Sequence, residues 1–239
     1  MIKFDIVTLF PTLFTEHFNN LPYKKAVSKN LAEYNLWDLK NYSVNNYGSV
    51  DDKTYGGGVG MVIMVEPVFN ALSDIYSEKI MDDKIKGRND FFDRNNQKIV
   101  VLSPRGERFT QKKARELSQS TQITLICGRY EGLDARIEDN IATDIISIGD
   151  FVLSGGEIPA LAVMESITRI LPGVLEKEEA SKIESFSLEN RNGNEFIEYP
   201  QYTRPENFKG LEVPKVLLSG NHKEIEMWRK EKSTIADKN

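Results

Sequence analysis

Sulfur and imidazole are scarce in this chain. Cys127 is the single cysteine among 239 residues, and His17 and His222 are the two histidines. One cysteine excludes an intrachain disulfide. A structural zinc site of the Cys/His type needs about four ligands, more than these three residues supply, so no residue is expected to ligate a metal. Two histidines also leave little room for Ser-His-Asp hydrolysis. No apolar run approaches the ~18 residues of a membrane span. The opening MIKFDIVTLF is unlike a secretory leader, so the expected setting is the reducing cytoplasm, with no membrane partner. Basic residues are outnumbered, 31 against 36, giving −5 overall. That balance argues against gripping nucleic acid by bulk charge but leaves room for a local basic face. A G-x-G-x-x-G fingerprint and a Walker A sequence are both missing, which speaks against a standard dinucleotide or nucleoside triphosphate site.

What is present is a repeated unit. Residues 2–9 alternate before turning apolar and read as a strand. Residues 12–33 read as helical, 45–60 as loop, 61–77 as an apolar start followed by a helix from about Glu66, and 81–97 as a polar surface loop. The apolar, β-branched runs 98–102, 123–127 and 143–148 then recur, each followed at once by a small-residue loop, SPRGER, GRYEG and GDFVLSGGE. Helical patterns lie between them, over 111–120, 132–140 and 158–171. Strand, loop and helix in repetition predict an α/β fold, a parallel sheet with helices on both faces. Ligands of open α/β sheets sit beyond the carboxyl ends of the strands, so the three loops predict one pocket built mostly from backbone. Leu171-Pro172-Gly173 stops the last helix. The expected division is a domain over 1–175, an acidic linker over 176–200, and a small helical C-terminal domain over 201–239. In the last of these, Ile225, Trp228 and Ile235 form one apolar stripe.

Several candidate residues have ordinary structural readings as well. Ser154 and Glu157 have the spacing of a capping box, and Pro159 fits a first helical turn. Gly155 and Gly156 equally suit close approach of a ligand to the backbone. Glu131 suits either the positive end of a helix or an amino group of a ligand. Arg169 at a helix C-terminus is favourable for the dipole alone, and Glu184 reads as a solvated acid. The run from Gly56 to Gly60 holds four glycines in five positions, costly to order unless a tight path or a ligand requires them. Cys127, ending an apolar run, reads as inert core.

Taken together, DDKTYGGGVGM (51–61), LSPRGE (102–107), ICGRYEGLDAR (126–136), SIGDFVLSGGEIPAL (147–161), Arg169, ESF (184–186) and YPQYTRP (199–205) stand in the order found in one family. The chain resembles the bacterial tRNA (guanine-N1)-methyltransferases, the TrmD family, over nearly its whole length. The resemblance implies a SPOUT-type domain with a trefoil knot near its C-terminal end, S-adenosylmethionine as methyl donor, and a homodimer with the active site between subunits. It extends to Mg2+ as a further cofactor and to the tRNA anticodon arm as partner of the C-terminal domain. It implies that Leu102, Ser103, Pro104 and Gly106, then Gly128, Tyr130, Glu131 and Gly132, then Ser147, Ile148, Gly149, Leu153, Gly155, Gly156 and Pro159 hold the cofactor. It places Arg169 at the catalytic arginine and Glu184 at the general base. A related SPOUT methyltransferase acting on another RNA is the alternative. Three departures stand out: Thr54 and Val59 replace prolines of the glycine loop, the stretch from Phe186 to Tyr199 is longer than the family pattern, and Glu184 replaces an aspartate. The added methylene leaves Glu198 as a second candidate base.

Overall fold

A computed structural model describes residues 1–45, 48–176, 184–187 and 196–235, which divide into two compact units, Met1–Glu176 and Lys177–Asn239. The first unit is organised by five strands, β1 (Ile2–Thr8), β2 (Ala32–Asp38), β5 (Gln97–Arg108), β6 (Gln122–Cys127) and β7 (Asp144–Ser147). All pair in parallel, in the order β2-β1-β6-β5-β7. Two-residue strands β3 (Asp51–Asp52) and β4 (Val62–Ile63) form a separate antiparallel pair. Every residue of β6 is buried, as a strand covered on both faces requires.

The period-2 alternation of β5 sorts its side chains between two cores. Val100 and Leu102 join Phe4, Ile6, Ile123 and Leu125 beneath α1 (Thr12–Phe18), α2 (Tyr23–Ser28), α6 (Gln111–Leu117) and α7 (Glu157–Ile170). Ile99 and Val101 join Val7, Ile126 and Leu72 beneath α3 (Val65–Tyr76), α4 (Glu78–Ile85) and α5 (Asp90–Asn95). Each such aliphatic side chain contributes about 1.5–3 kcal/mol on burial. The expected α/β architecture, with helices on both faces of a parallel sheet, is thus observed.

Three local expectations are corrected. Residues 12–33 are two short helices, not one, and β2 already begins at Ala32. Pro22 precedes α2, and a proline ring, lacking an N–H, does not continue a helix. The stretch 81–97, expected as loop, carries most of α4 and all of α5. These helices bury Met81, Lys84 and Phe92. Lys84 hides its stem, donates from Nζ to Asn89 Oδ1 at 2.7 Å and lies 5.5 Å from the Phe92 ring centroid. Burial pushes its ammonium pKa down. A lysine filling a core position erases the polar–apolar contrast that a sequence pattern needs. The helix expected over 132–140 reduces to one π-helical turn, Ile137–Ile141.

In the second unit, β8 (Phe196–Ile197) pairs antiparallel with β11 (Thr234–Ile235), and β9 (Asn207–Phe208) with β10 (Leu211–Glu212). Two helices follow, α8 (Lys215–Leu218) and α9 (His222–Lys232), the latter capped by the Asn221 side chain. Ile225 and Trp228 are the half-buried positions of α9, and Trp228 meets Tyr199 and Tyr202 edge-on at 6.2 and 6.3 Å. The side chain of Ile235, and residues 177–183 and 188–195 of the expected linker, lie outside the described residues.

Candidate active site

Three loops at the carboxyl ends of β5, β6 and β7 enclose a cavity of 530 Å3. From the first loop it is lined by Leu102, Ser103 and Pro104, from the second by Gly128, Tyr130, Glu131 and Gly132, and from the third by Ser147, Ile148, Gly149, Leu153, Gly155, Gly156 and Pro159. The residues singled out in the sequence therefore meet in one wall, apart from Gly106. That glycine packs against the neighbouring strand: a Cβ there would lie 2.4 Å from Ile146 N. It stands where the pairing of β5 with β7 shifts register between Leu102 and Glu107, so the first loop is a bulge within β5.

The glycine-rich run is stitched to the second loop. Glu131 N–H donates to Met61 O at 3.0 Å, Ile63 N–H to Gly132 O at 3.0 Å, and Asp134 N–H to Ile63 O at 2.9 Å. Gly60 has φ +93°, and a Cβ there would fall 2.6 Å from Glu131 Cγ. Here the tight path is a backbone crossing over the Glu131 side chain, which accounts for one of the four glycines.

The third loop corrects the capping-box reading. The N-cap of α7 is Gly156, without any side-chain cap hydrogen bond. Glu157 is instead turned inward and almost fully buried. Its Oε1 accepts from the Thr8 hydroxyl at 2.9 Å, and its Oε2 lies 2.9 Å from Arg129 Nε. That N–H is not aimed at the carboxylate as a hydrogen bond, so the attraction is one of charge. The Arg129 guanidinium also lies 4.5 Å from the Phe10 ring centroid, and its Nη1 donates to Ser154 O at 3.3 Å. Gly156 N–H donates to Gly128 O at 2.8 Å. Loops two and three are thereby locked to each other and to the end of β1. Arg129, Arg105, Glu138 and Phe151 also line the cavity and escaped the sequence reading. Arg129, Arg105 and Phe151 stood inside motifs already singled out, and Glu138 carried no such signal. Cys127, ending β6, is wholly buried and its thiol pKa is pushed well up by that burial, consistent with inert core.

A family model described as tRNA (guanine-1)-methyltransferase TrmD matches residues 2–238. The chain belongs to this family. Curated relatives agree along the full length. The tRNA (guanine-N(1)-)-methyltransferase of Carboxydothermus hydrogenoformans is 43% identical over 234 residues, 98% of this chain and 83% of its own. That of Clostridioides difficile is 43% identical over 232 residues, 97% of this chain and 92% of its own. That of Anoxybacillus flavithermus is 41% identical, covering 97% and 86%.

The two catalytic candidates of this TrmD-family chain stand in different units. Arg169 is half-buried in the last turn of α7, in the first unit. Glu184 is half-buried in the second, where its carbonyl accepts from the Ser187 N–H at 3.0 Å and from the Ser187 hydroxyl. Beside it, the Glu198 carboxylate accepts from Ser185 N–H at 3.2 Å, and Glu198 N–H donates to Ser185 Oγ at 3.1 Å. Among the described residues no group of three or more His, Cys, Asp or Glu side chains is placed to hold a metal ion. No described helix is long and apolar enough to cross a membrane.

Proposed function

We propose that this chain moves the methyl group of S-adenosylmethionine to N1 of the guanine immediately 3′ of the anticodon in tRNA. It acts as a cytoplasmic homodimer whose cofactor loops are threaded as a SPOUT trefoil knot. Methyl transfer to guanine N1 of tRNA is the reaction of the family to which the chain belongs. The observation that carries the cofactor assignment is the single cavity formed by three strand-end loops. Its volume lies in the ~300–1,000 Å3 range of small-molecule sites. The wall is mixed as an adenosine-based ligand requires: apolar Leu102, Ile146, Ile148 and Leu153 beside backbone groups of glycine loops. A Cβ at Gly132 would meet no protein atom within 4 Å, so that backbone lies open for close approach. The sulfonium of the bound cofactor supplies an electrophilic methyl; the protein supplies orientation.

N1 of guanine carries a proton at neutral pH, so a base must take it as the methyl arrives. A carboxylate within about 3 Å does this, and Glu184 is assigned the role. Glu198 is the competing acid; its carboxylate accepts from Ser185 N–H and braces the Glu184 turn. As the proton leaves, negative charge grows on O6, and a guanidinium aimed there stabilises the transition state more than the ground state. Arg169 is assigned that role. Residues 201–239 hold the anticodon arm, with the guanine splayed from its loop.

Arg169→Ala and Glu184→Gln are expected to slow single-turnover methyl transfer by about 100-fold or more, while calorimetric affinity for S-adenosylmethionine stays within a few fold. Near-normal turnover in Glu184→Gln would overturn the base assignment. The function itself is tested with tRNA transcripts bearing guanine or adenine beside the anticodon. Transfer to the guanine transcript alone is expected, and equal transfer to both sinks the assignment. Residues 201–239 hold eight bases against six acids, so few phosphates are neutralised. The slope of log K on log salt, roughly 0.7–0.9 per phosphate, should be correspondingly shallow; a slope implying ten contacts would contradict this.

A further inference from the structure

Besides Arg129, which is paired with Glu157, and Glu131, whose side chain leaves no room for a Cβ at Gly60, the cavity wall carries one pair of opposite charges in direct contact, Arg105 and Glu138. Arg105 Nη2 donates to Glu138 Oε2 at 2.6 Å. Arg105 extends from the first cofactor loop with its side chain 67% exposed; Glu138, on the π-helical turn, has its side chain only 8% exposed. A carboxylate so far withdrawn from water inside a ligand cavity is costly to maintain, and its ion-pair partner among the described residues is an exposed arginine.

We propose that Arg105 and Glu138 form the subsite for the amino-acid end of the cofactor: Arg105 takes its carboxylate and Glu138 its ammonium. This rests on the assignment of the cavity to S-adenosylmethionine. The valences allow both contacts without breaking the existing pair. A carboxylate has two oxygens and about four acceptor sites, and a guanidinium has five N–H donors, whereas the pair uses one oxygen and one nitrogen. A zwitterion laid against the pair alternates charges, plus to minus, and each new contact is a charge-assisted hydrogen bond. The remainder of the ligand, the adenosine and the sulfonium, meets the rest of the wall.

Calorimetry with S-adenosylmethionine, its decarboxylated form and 5′-methylthioadenosine tests this. Arg105→Ala, which removes an exposed side chain, should weaken S-adenosylmethionine at least tenfold and leave the decarboxylated ligand and methylthioadenosine unchanged. Glu138→Gln should weaken the first two, both of which keep the ammonium, and spare methylthioadenosine, which has neither charge. Equal losses for all three ligands would mean that the pair merely shapes the wall and would overturn the proposal. So would unchanged affinities, or a selective loss produced by Glu131→Gln and not by Glu138→Gln. If the unaltered protein binds none of the three, the cavity assignment fails, a result separable from every variant outcome.

Discussion

Gly156→Ala is expected to abolish measurable S-adenosylmethionine binding and to lower the urea midpoint of the first unit. The added methyl would lie 2.7 Å from Cys127 Cα, 3.0 Å from Gly128 N and 3.2 Å from Cys127 C. These are backbone atoms at the end of a strand buried along its whole length, so no flexible side chain can swing aside. Either α7 moves out or the second loop moves away, and both options break the Gly156 N–H to Gly128 O bond. Forcing a methyl into a packed site costs about 1–3 kcal/mol, and the displaced loop carries Gly128, Tyr130 and Gly132 of the cavity wall. A loop shifted by ~1 Å also costs about 100-fold in methyl-transfer rate where catalytic geometry is tight. Gly155→Val should behave alike, since even its Cβ would fall 2.3 Å from Arg129 Nε and 2.6 Å from Glu157 Oε2. Gly87→Ala provides the contrast. It lies between α4 and α5 with φ +78° and open space around the added methyl, so it should cost about 1–2 kcal/mol of backbone strain and leave cofactor affinity unchanged. Gly156→Ala with unaltered cofactor affinity would show that the third loop is not part of the site.

The loops were legible in the sequence because their signals are local. A β-branched run ending in glycine and serine marks a strand end wherever it occurs, and three such ends in one parallel sheet lie side by side by topology alone. Edge strand β2 was not legible: AEYNLWD is short, and most of its side chains are only half-buried. Helix α4 was hidden because Lys84 occupies a buried position, and α5 because Phe92 is the one buried residue of its six. Glu157 was misread for a deeper reason. Its spacing from Ser154 satisfies a local rule, yet its partner Thr8 stands 149 residues away, and no pattern within a window of one helix records that. Gly106 shows the converse: the motif is real, but the side of the backbone it exposes to Ile146 is decided by a register shift with β7. Family resemblance supplied the roles of Arg169 and Glu184, for which local pattern offered only a helix dipole and a solvated acid.

The buried pair below the cavity carries the second large effect. Glu157→Ala should destabilise the first unit by about 3–5 kcal/mol, the usual cost of stranding one partner of a buried ion pair. Arg129 would keep its charge, its side chain only 21% exposed, with the Phe10 ring and the Ser154 carbonyl as remaining contacts. The Thr8 hydroxyl would lose the acceptor it now has at 2.9 Å. Thr8→Val isolates that smaller part and should cost about 1 kcal/mol. The pair Arg129→Met with Glu157→Leu separates charge from shape: it removes both ions and keeps roughly the volume, and such replacements are often neutral or stabilising. Urea unfolding of the four proteins should therefore rank the double variant well above Glu157→Ala. Its cofactor affinity should nevertheless stay depressed, because the charge attraction that draws the second loop onto α7 is gone. A double variant as unstable as Glu157→Ala would mean that packing, not charge, holds Glu157 in place. A double variant with full cofactor affinity would mean that the backbone bond from Gly156 to Gly128 suffices to shape the loops.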